Sequence, residues 1–440
     1  MGWAMRIPQK PPTLQEAFAQ VSDHEVLWQH LGTPDSYLPW DDLRHRTPPD
    51  GLRYHEWWYV LKAGRLSHRT SIPLRDAGDK KFTFNLPDPL PELCHDVDSR
   101  ARGRVAMPEP IVNPDTKDQY LVRSLIEEAF TSSQLEGAAT TRRIANEIIR
   151  ANRPPRDRGE RMVLNNYRTM RRILELRKEP ISKGLVFEIH RLVTVDTLDN
   201  PSGVDRFRRA DEDIKVATTS DEILHIPPPA DQLEARMEAM CRFANGETPG
   251  QFVHPLIRSM ALHFWLAFDH PFVDGNGRTA RALFYWCMLK NGYWLLEFVS
   301  ISSIILKAPV QYAMAYLHTE TDDNDLTYFL LYHAKVVQRA LNELDRYIEG
   351  RSTQVREIES QLRGPSGLNH RQIALISHAL RHPRRIYDVR SHEVSHGVTN
   401  QTARVDLQDL VDRKLFRQKR VGKAFRFSPA PDMEARLKGD

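Results

Sequence analysis

The 440-residue sequence predicts a mainly α protein: a helical bundle with a β-hairpin flap, an irregular amino-terminal segment with a small β element, and a carboxy-terminal winged-helix domain. Three observations predict this. Apolar residues recur at three- and four-residue spacing from 115 to 350. Prolines, Trp/Tyr clusters and short strand-like runs crowd the first 110 positions. Beyond 367, three helical stretches precede two alternating runs around a glycine turn. The division that follows is 1–110, 111–350, a linker at 351–367, and a winged helix-turn-helix at 368–430.

In the first segment Trp57 to Ala63 and Lys81 to Asn85 read as strands, and no chemistry attaches to them. The central periodicity predicts helices over Tyr120–Phe130, Arg142–Ala151, Gly159–Arg177, Ser182–Leu192, Asp231–Ala244, His254–Phe268, Thr279–Lys290, Val310–His318 and Leu326–Glu349. Between the fourth and fifth of these, Asp213-Ile214-Lys215-Val216 and Ile223-Leu224-His225-Ile226 flank a polar turn and predict a hairpin. Gly350, Ser352, Gly364, Pro365 and Gly367 mark the linker. Asn369–Leu380, Ser391–Ser395 and Thr399–Lys414 then read as helices, and Leu415–Lys419 with Ala424–Ser428 as a two-stranded wing.

Composition excludes several classes. A 40% hydrophobic and 27% charged chain is ordinary globular protein. No apolar run spans a bilayer and no amino-terminal signal is legible, so a cytoplasmic location and no membrane partner are expected. Cys94, Cys241 and Cys287 are scattered, which argues against a disulfide framework or a structural zinc site.

The chemistry concentrates in His270-Pro271-Phe272-Val273-Asp274-Gly275-Asn276-Gly277-Arg278-Thr279-Ala280-Arg281. Gly275 and Gly277 can adopt positive φ and turn the N–H groups around Asn276 into an anion nest. A helix opening at Thr279 adds its dipole to the same field. Arg278 and Arg281, three apart, can lean over that end and clamp phosphate oxygens. Asp274 is a hard oxygen ligand suited to Mg²⁺. His270, at the end of an apolar helix, can accept a proton near neutral pH. Each feature alone is an ordinary turn or loop residue; the dodecamer as a whole is a nucleotide-handling site.

At these residues the chain resembles the Fic family, whose signature His-Pro-Phe-x-Asp/Glu-Gly-Asn-Gly-Arg-x-x-Arg it matches without departure. The resemblance implies transfer of AMP from ATP to a Ser, Thr or Tyr hydroxyl of a target protein. It implies His270 as base, Asp274 as holder of Mg²⁺ between the α- and β-phosphates, and Asn276 with the Gly275–Gly277 amides as anion hole. Arg278 and Arg281 would take the distal phosphates, and Phe272 would anchor the loop. The hairpin would be a flap aligning the target by strand-type pairing, with Ile214 and Val216 as its target-facing residues and Gly203, Arg206 and Pro227-Pro228 flanking it. The segment Asn165-Asn166-Tyr167 on the third helix resembles the family's nucleotide-side asparagine and tyrosine, with Asn166 as the polar contact.

Upstream, Thr131-Ser132-Ser133-Gln134-Leu135-Glu136-Gly137 resembles the Ser/Thr-x-x-x-Glu-Gly/Asn inhibitory motif of the same family, with Ser132 and Glu136 at the matching positions of a helix at about 120–140. A carboxylate set beside Arg281 would neutralise the cation meant for the γ-phosphate and crowd that phosphate out. The expectation is an autoinhibited adenylyltransferase using ATP with Mg²⁺.

Residues 368–427 hold 13 Lys or Arg against 5 Asp or Glu, a net +8, which invites a DNA reading. Asn400, Gln401 and Arg404 would face base edges, with Arg417, Lys419, Arg420 and Lys423 against phosphates. The alternatives left open are a DNA-binding regulator whose helical core senses nucleotide, and an enzyme that removes AMP. The target, the nucleotide donor and the oligomeric state, a homodimer included, stay open too.

Overall fold

Two helices that are buried on nearly every face, Pro255–Asp269 and Asn276–Lys290, form the centre of the larger of two compact units and pack along each other. The computed structural model describes residues 6–21, 24–30, 36–102, 114–218, 221–362, 367–421 and 424–438. The described residues fall into two compact units, 1–103 with 124–340, and 104–123 with 341–440.

In the first unit, helices Arg158–Leu176, Lys183–Thr194 and Leu233–Ala244 surround the central pair. Their starts follow from the sequence. Asp157 accepts the N–H of Glu160 at 2.8 Å and Ser182 that of Leu185 at 3.2 Å, so each helix opens on a side-chain cap. The helix Pro114–Leu135 turns Leu125, Ile126, Ala129 and Phe130 inward. It also buries the Glu128 carboxylate, which Tyr285 Oη, Ser300 Oγ and the Ser302 N–H reach at 2.9, 2.8 and 3.1 Å. A buried carboxylate with this many donors fixes the helix in one place.

The amino-terminal segment corrects one expectation. Trp57 to Ala63 lies inside a helix, Tyr54–Leu66, because Trp58, Leu61, Lys62 and Arg65 share one buried face at three- and four-residue spacing. Lys81–Phe84 is a strand as expected, paired antiparallel with Thr70–Arg75. Phe82 of this hairpin meets Phe264 tilted and Phe268 edge-on, ring centroids 5.4 and 4.9 Å apart, on the central helix. Lys62 and Arg65, both buried, meet Asp322, while Tyr37 Oη donates to Asp325 at 2.8 Å. Helices Leu90–Ala101 and Ile301–Lys307 were not anticipated from periodicity.

The flap exists as a short antiparallel hairpin, Val216–Ala217 with Ile223–His225. It is pinned by His225, whose Nδ1 lies 2.7 Å from Glu320 Oε2 and whose Nε2 lies 2.7 Å from Phe268 O. Two acceptors require two ring N–H donors. Burial alone would lower the pKa of His225, but the Glu320 carboxylate outweighs it and the net direction is upward.

In the second unit, helices His370–Arg381, Val389–His396 and Asn400–Asp412 precede strands Phe416–Val421 and Ala424–Pro429, the order expected of a winged helix. Tyr387 exchanges two backbone hydrogen bonds of 2.8 Å with Phe427, which adds a third short edge to this hairpin. The break expected at Gly350 and Ser352 is absent. The helix Thr327–Leu362 runs through both, and burial of Ile358 and Leu362 in the core of this unit outweighs the roughly 1 kcal/mol that a mid-helix glycine costs. Gly364 and Pro365 lie outside the described residues.

Candidate active site

The site is built at the junction of the two central helices. The first ends at His270, which takes φ 44° and ψ 55° with its N–H on Leu266 O. This left-handed conformation is strained for a non-glycine residue, by about 1–3 kcal/mol, and persists because its surroundings hold it. Arg208, buried, holds the turn from outside: its backbone N–H donates to Pro271 O at 2.8 Å and its Nε to His270 O at 2.8 Å. Its Nη2 also bonds Pro228 O in the segment after the flap. Arg208 therefore ties the hairpin, the turn and His270 together, and sequence reasoning missed it because four of the five residues from Asp205 to Arg209 are charged, a pattern that reads as a solvated loop.

The His270 Nδ1 lies 3.3 Å from Ala267 O, which places the proton on Nδ1 and leaves the Nε2 lone pair open. Burial of the imidazole pulls its pKa down to about 4, so it is neutral at physiological pH.

The turn closes through Asn276. Its Oδ1 accepts the Phe272 N–H at 2.9 Å and its Nδ2 donates to Phe272 O at 2.8 Å. The side chain expected in the anion hole is thus engaged inside the loop. Phe272 is fully buried and stacks on His190 at 3.7 Å, the anchor role expected of it. His190, unremarked in the sequence, also reaches Asp274 O with its Nε2 at 3.0 Å. Its only signal there was its place among Val186, Ile189 and Val193 on a core face.

The two glycines serve different needs. Gly275 sits at φ 82° and ψ 4° as the N-cap of the second helix, with no side chain to cover that helix's free N–H groups. Gly277 has ordinary helical geometry, which corrects the expectation of positive φ. Its lack of a side chain leaves room for Glu136, whose Oε1 lies where a Cβ would collide with it.

Arg281 is buried, and two of its three guanidinium nitrogens bond the upstream helix end. Nε donates to Ser132 Oγ at 2.8 Å, and Nη2 to Ser132 O at 3.0 Å and to Glu136 Oε1 at 2.8 Å. Burial would lower the pKa of Arg281, yet Glu136 beside it carries the net shift upward. Ser132 and Glu136 are therefore brought to the site as the sequence anticipated. Arg278 differs: it is buried with Nη1 on Val193 O at 2.8 Å and Nη2 3.4 Å from Asp274 Oδ1, so it braces the loop from beneath instead of standing free as a clamp.

Asp274 is half-exposed between Arg278 and Arg158, whose Nη2 lies 3.3 Å from its Oδ2. Among the described residues no cluster of three His, Cys, Asp or Glu could hold a metal. A half-exposed carboxylate at a helix amino end suits Mg²⁺, which takes its remaining ligands from phosphate and water, though Asp274 Oδ1 here also accepts the Gly275 N–H at 2.5 Å. Asn166 is buried and donates to Ser133 Oγ at 3.1 Å, which ties it to the end of the helix Pro114–Leu135. Ile214 and Val216 on the flap are half-buried, while Ile223 and Ile226 opposite are exposed.

In the second unit Gln401, Arg404, Arg417 and Lys419 are exposed. Asn400 is exposed but donates to Glu393 Oε2 at 2.9 Å, and Arg420 is exposed on the wing. Lys423 lies outside the described residues.

Fold and site together define a helical protein in which a histidine-bearing turn leads into a glycine-capped helix amino end, with a glutamate from just past a neighbouring helix set over it. Residues 180–288 match the Fic/DOC family, and the chain carries a Fic domain. It is similar to the Protein adenylyltransferase Fic of Nematostella vectensis, 32% identical over 117 residues that make 27% of this chain and 25% of that protein. It is also similar to the protein of the same name from Drosophila melanogaster, 39% identical over 69 residues, 16% of this chain and 14% of that one. The chain thus spans a quarter or less of the length of these curated relatives. A crystal structure of a Fic family protein from Desulfovibrio desulfuricans G20 superposes with TM-score 0.50 at 18% identity, covering 78% of this chain and 95% of that chain, and shows the shared fold. No helix among the described residues is long and apolar enough to cross a membrane.

Proposed function

We propose that the chain is a protein adenylyltransferase that moves AMP from ATP to a hydroxyl of a target protein or of itself, and that Glu136 holds it inactive. The observation that carries this reading is the Glu136–Arg281 contact of 2.8 Å, made directly over Gly277 at the helix amino end. A triphosphate laid along that helix end would need the same guanidinium. Relatives named protein adenylyltransferase add support, over short stretches of each chain.

On this reading the free Nε2 of His270 takes the target hydroxyl proton as the oxygen bonds to the α-phosphorus. The bond from that phosphorus to the bridging oxygen breaks, and pyrophosphate leaves. Backbone N–H groups at Asn276 and Gly277 face the developing charge. Asp274 would hold Mg²⁺, which supplies charge neutralisation on the phosphates. The flap edge would align the target main chain. Wild type, Glu136→Gly and His270→Ala incubated with α-labelled ATP, Mg²⁺ and a lysate test this. Label that rises in Glu136→Gly and vanishes in Glu136→Gly/His270→Ala supports it; label that ignores His270 removes it.

For the second unit we propose duplex DNA contact through the exposed Gln401, Arg404, Arg417 and Lys419, on the strength of the net +8 between 368 and 427. Binding that falls steeply with salt supports it, and no binding at low salt removes it.

A further inference from the structure

A groove enclosing about 430 Å³ runs between the helices Arg142–Arg150 and Arg158–Leu176, apart from the residues placed in the active site. Its floor is aliphatic, with Ile148, Ile149 and Leu164, and Tyr167 stands beside them. Its rim carries Arg168 and Arg171, both exposed, beside Asn152 and Arg172, whose partner Glu175 also lines it. Residues 142–178 hold 12 Lys or Arg against 4 Asp or Glu, a net +8 equal to that of the carboxy-terminal module.

Most of that charge is already spent. Arg142 pairs with Glu127, Arg143 with Glu147, Arg153 with Glu160, Arg161 with Asp196, and Arg172 with Glu188 and Glu175. Among the described residues Arg168 and Arg171 have no carboxylate partner, and both border the apolar floor. Two unmatched guanidinium groups over an aliphatic trough, with an aromatic ring at the side, are what an amphipathic segment with acidic and apolar side chains would complement. A phosphodiester chain would satisfy the cations and leave Ile148, Ile149 and Leu164 uncovered, so nucleic acid fits less well.

We propose that this groove docks an acidic amphipathic peptide segment of a partner protein, seating apolar side chains on Ile148, Ile149 and Leu164 and carboxylates on Arg168 and Arg171. The proposal does not depend on the adenylyltransferase reading.

Fluorescence anisotropy tests it on the full chain, with a labelled peptide alternating Glu and Leu, one alternating Glu and Ser, and a labelled single-stranded oligonucleotide. The Glu/Leu peptide binds saturably, Arg168→Glu/Arg171→Glu weakens it about tenfold or more, and Arg168→Lys/Arg171→Lys keeps most of it. Both positions are exposed, so an unchanged circular dichroism spectrum is expected of each variant. The Glu/Ser peptide binds clearly more weakly. Equal binding of the Glu/Ser peptide, tighter binding of the oligonucleotide through the same arginines, no saturable binding, or indifference to the charge reversal each overturns the proposal.

Discussion

Glu136 Oε1 lies 2.8 Å from Arg281 Nη2, and the same oxygen occupies the space a side chain on Gly277 would need. One carboxylate therefore neutralises the buried cation of the site and covers the amino end of the helix that presents it. The contact is short and charge-assisted, the strong kind of hydrogen bond.

A graded series at position 136 measures that contact. Glu136→Gln keeps the shape and removes the charge, and Glu136→Gly removes both. Self-labelling is expected to rise from wild type to Gln to Gly, with Gly about tenfold or more above wild type, since a charge-assisted hydrogen bond contributes roughly 1.5–3 kcal/mol. Equal labelling of all three would end the switch assignment.

The pKa of His270, pulled down to about 4 by burial, fixes a pH profile. The imidazole must be neutral to take a proton, and it stays neutral until pH falls toward 4. Labelling by Glu136→Gly is expected to hold through the ordinary histidine range near 6.5 and to fail only well below it. A half-maximal loss near 6.5 would show that the base is not held in this environment.

Asn166 separates two roles. Its Nδ2 donates to Ser133 Oγ at 3.1 Å, so Asn166→Ala should loosen the inhibitory helix and raise basal labelling a few-fold while lowering stability by about 1 kcal/mol. In the Glu136→Gly background the same change should leave KM for ATP unmoved. A raised KM there would return Asn166 to the nucleotide.

Behind the base, Arg236 Nε bonds Asp269 Oδ1 at 2.8 Å, Trp265 Nε1 donates to Asp269 Oδ2 at 3.0 Å, and Arg236 Nη2 reaches Arg75 O at 2.6 Å. The amino-terminal hairpin thus supports the residue next to His270. Arg236→Ala strands a buried carboxylate and should cost about 3 kcal/mol in urea unfolding, whereas Arg236→Met/Asp269→Leu should recover most of that loss. Additive losses in the double variant would mean the two residues do not act as a pair.

Much of the helical core was legible because helix periodicity and caps are local: Asp157, Ser182 and the run to Phe268 needed only their neighbours in sequence. The stretch from Trp57 to Ala63 misled because dense aromatics resemble a strand until the buried face is known. Gly350 misled because a glycine's local penalty is small beside burial contributed by distant residues.

The sequence alone determined which groups the site contains, since His270, Asp274, the glycines and the arginines are neighbours in the chain and their chemistry belongs to the residue types. Only tertiary structure decided how they are used. Asn276 turns inward, Arg278 braces the loop, Arg208 and His190 arrive from other helices and turns, and Glu136 crosses 145 positions to meet Arg281. Those choices rest on which buried donors and acceptors meet once water is excluded, and that is a property of packing between segments far apart in the chain.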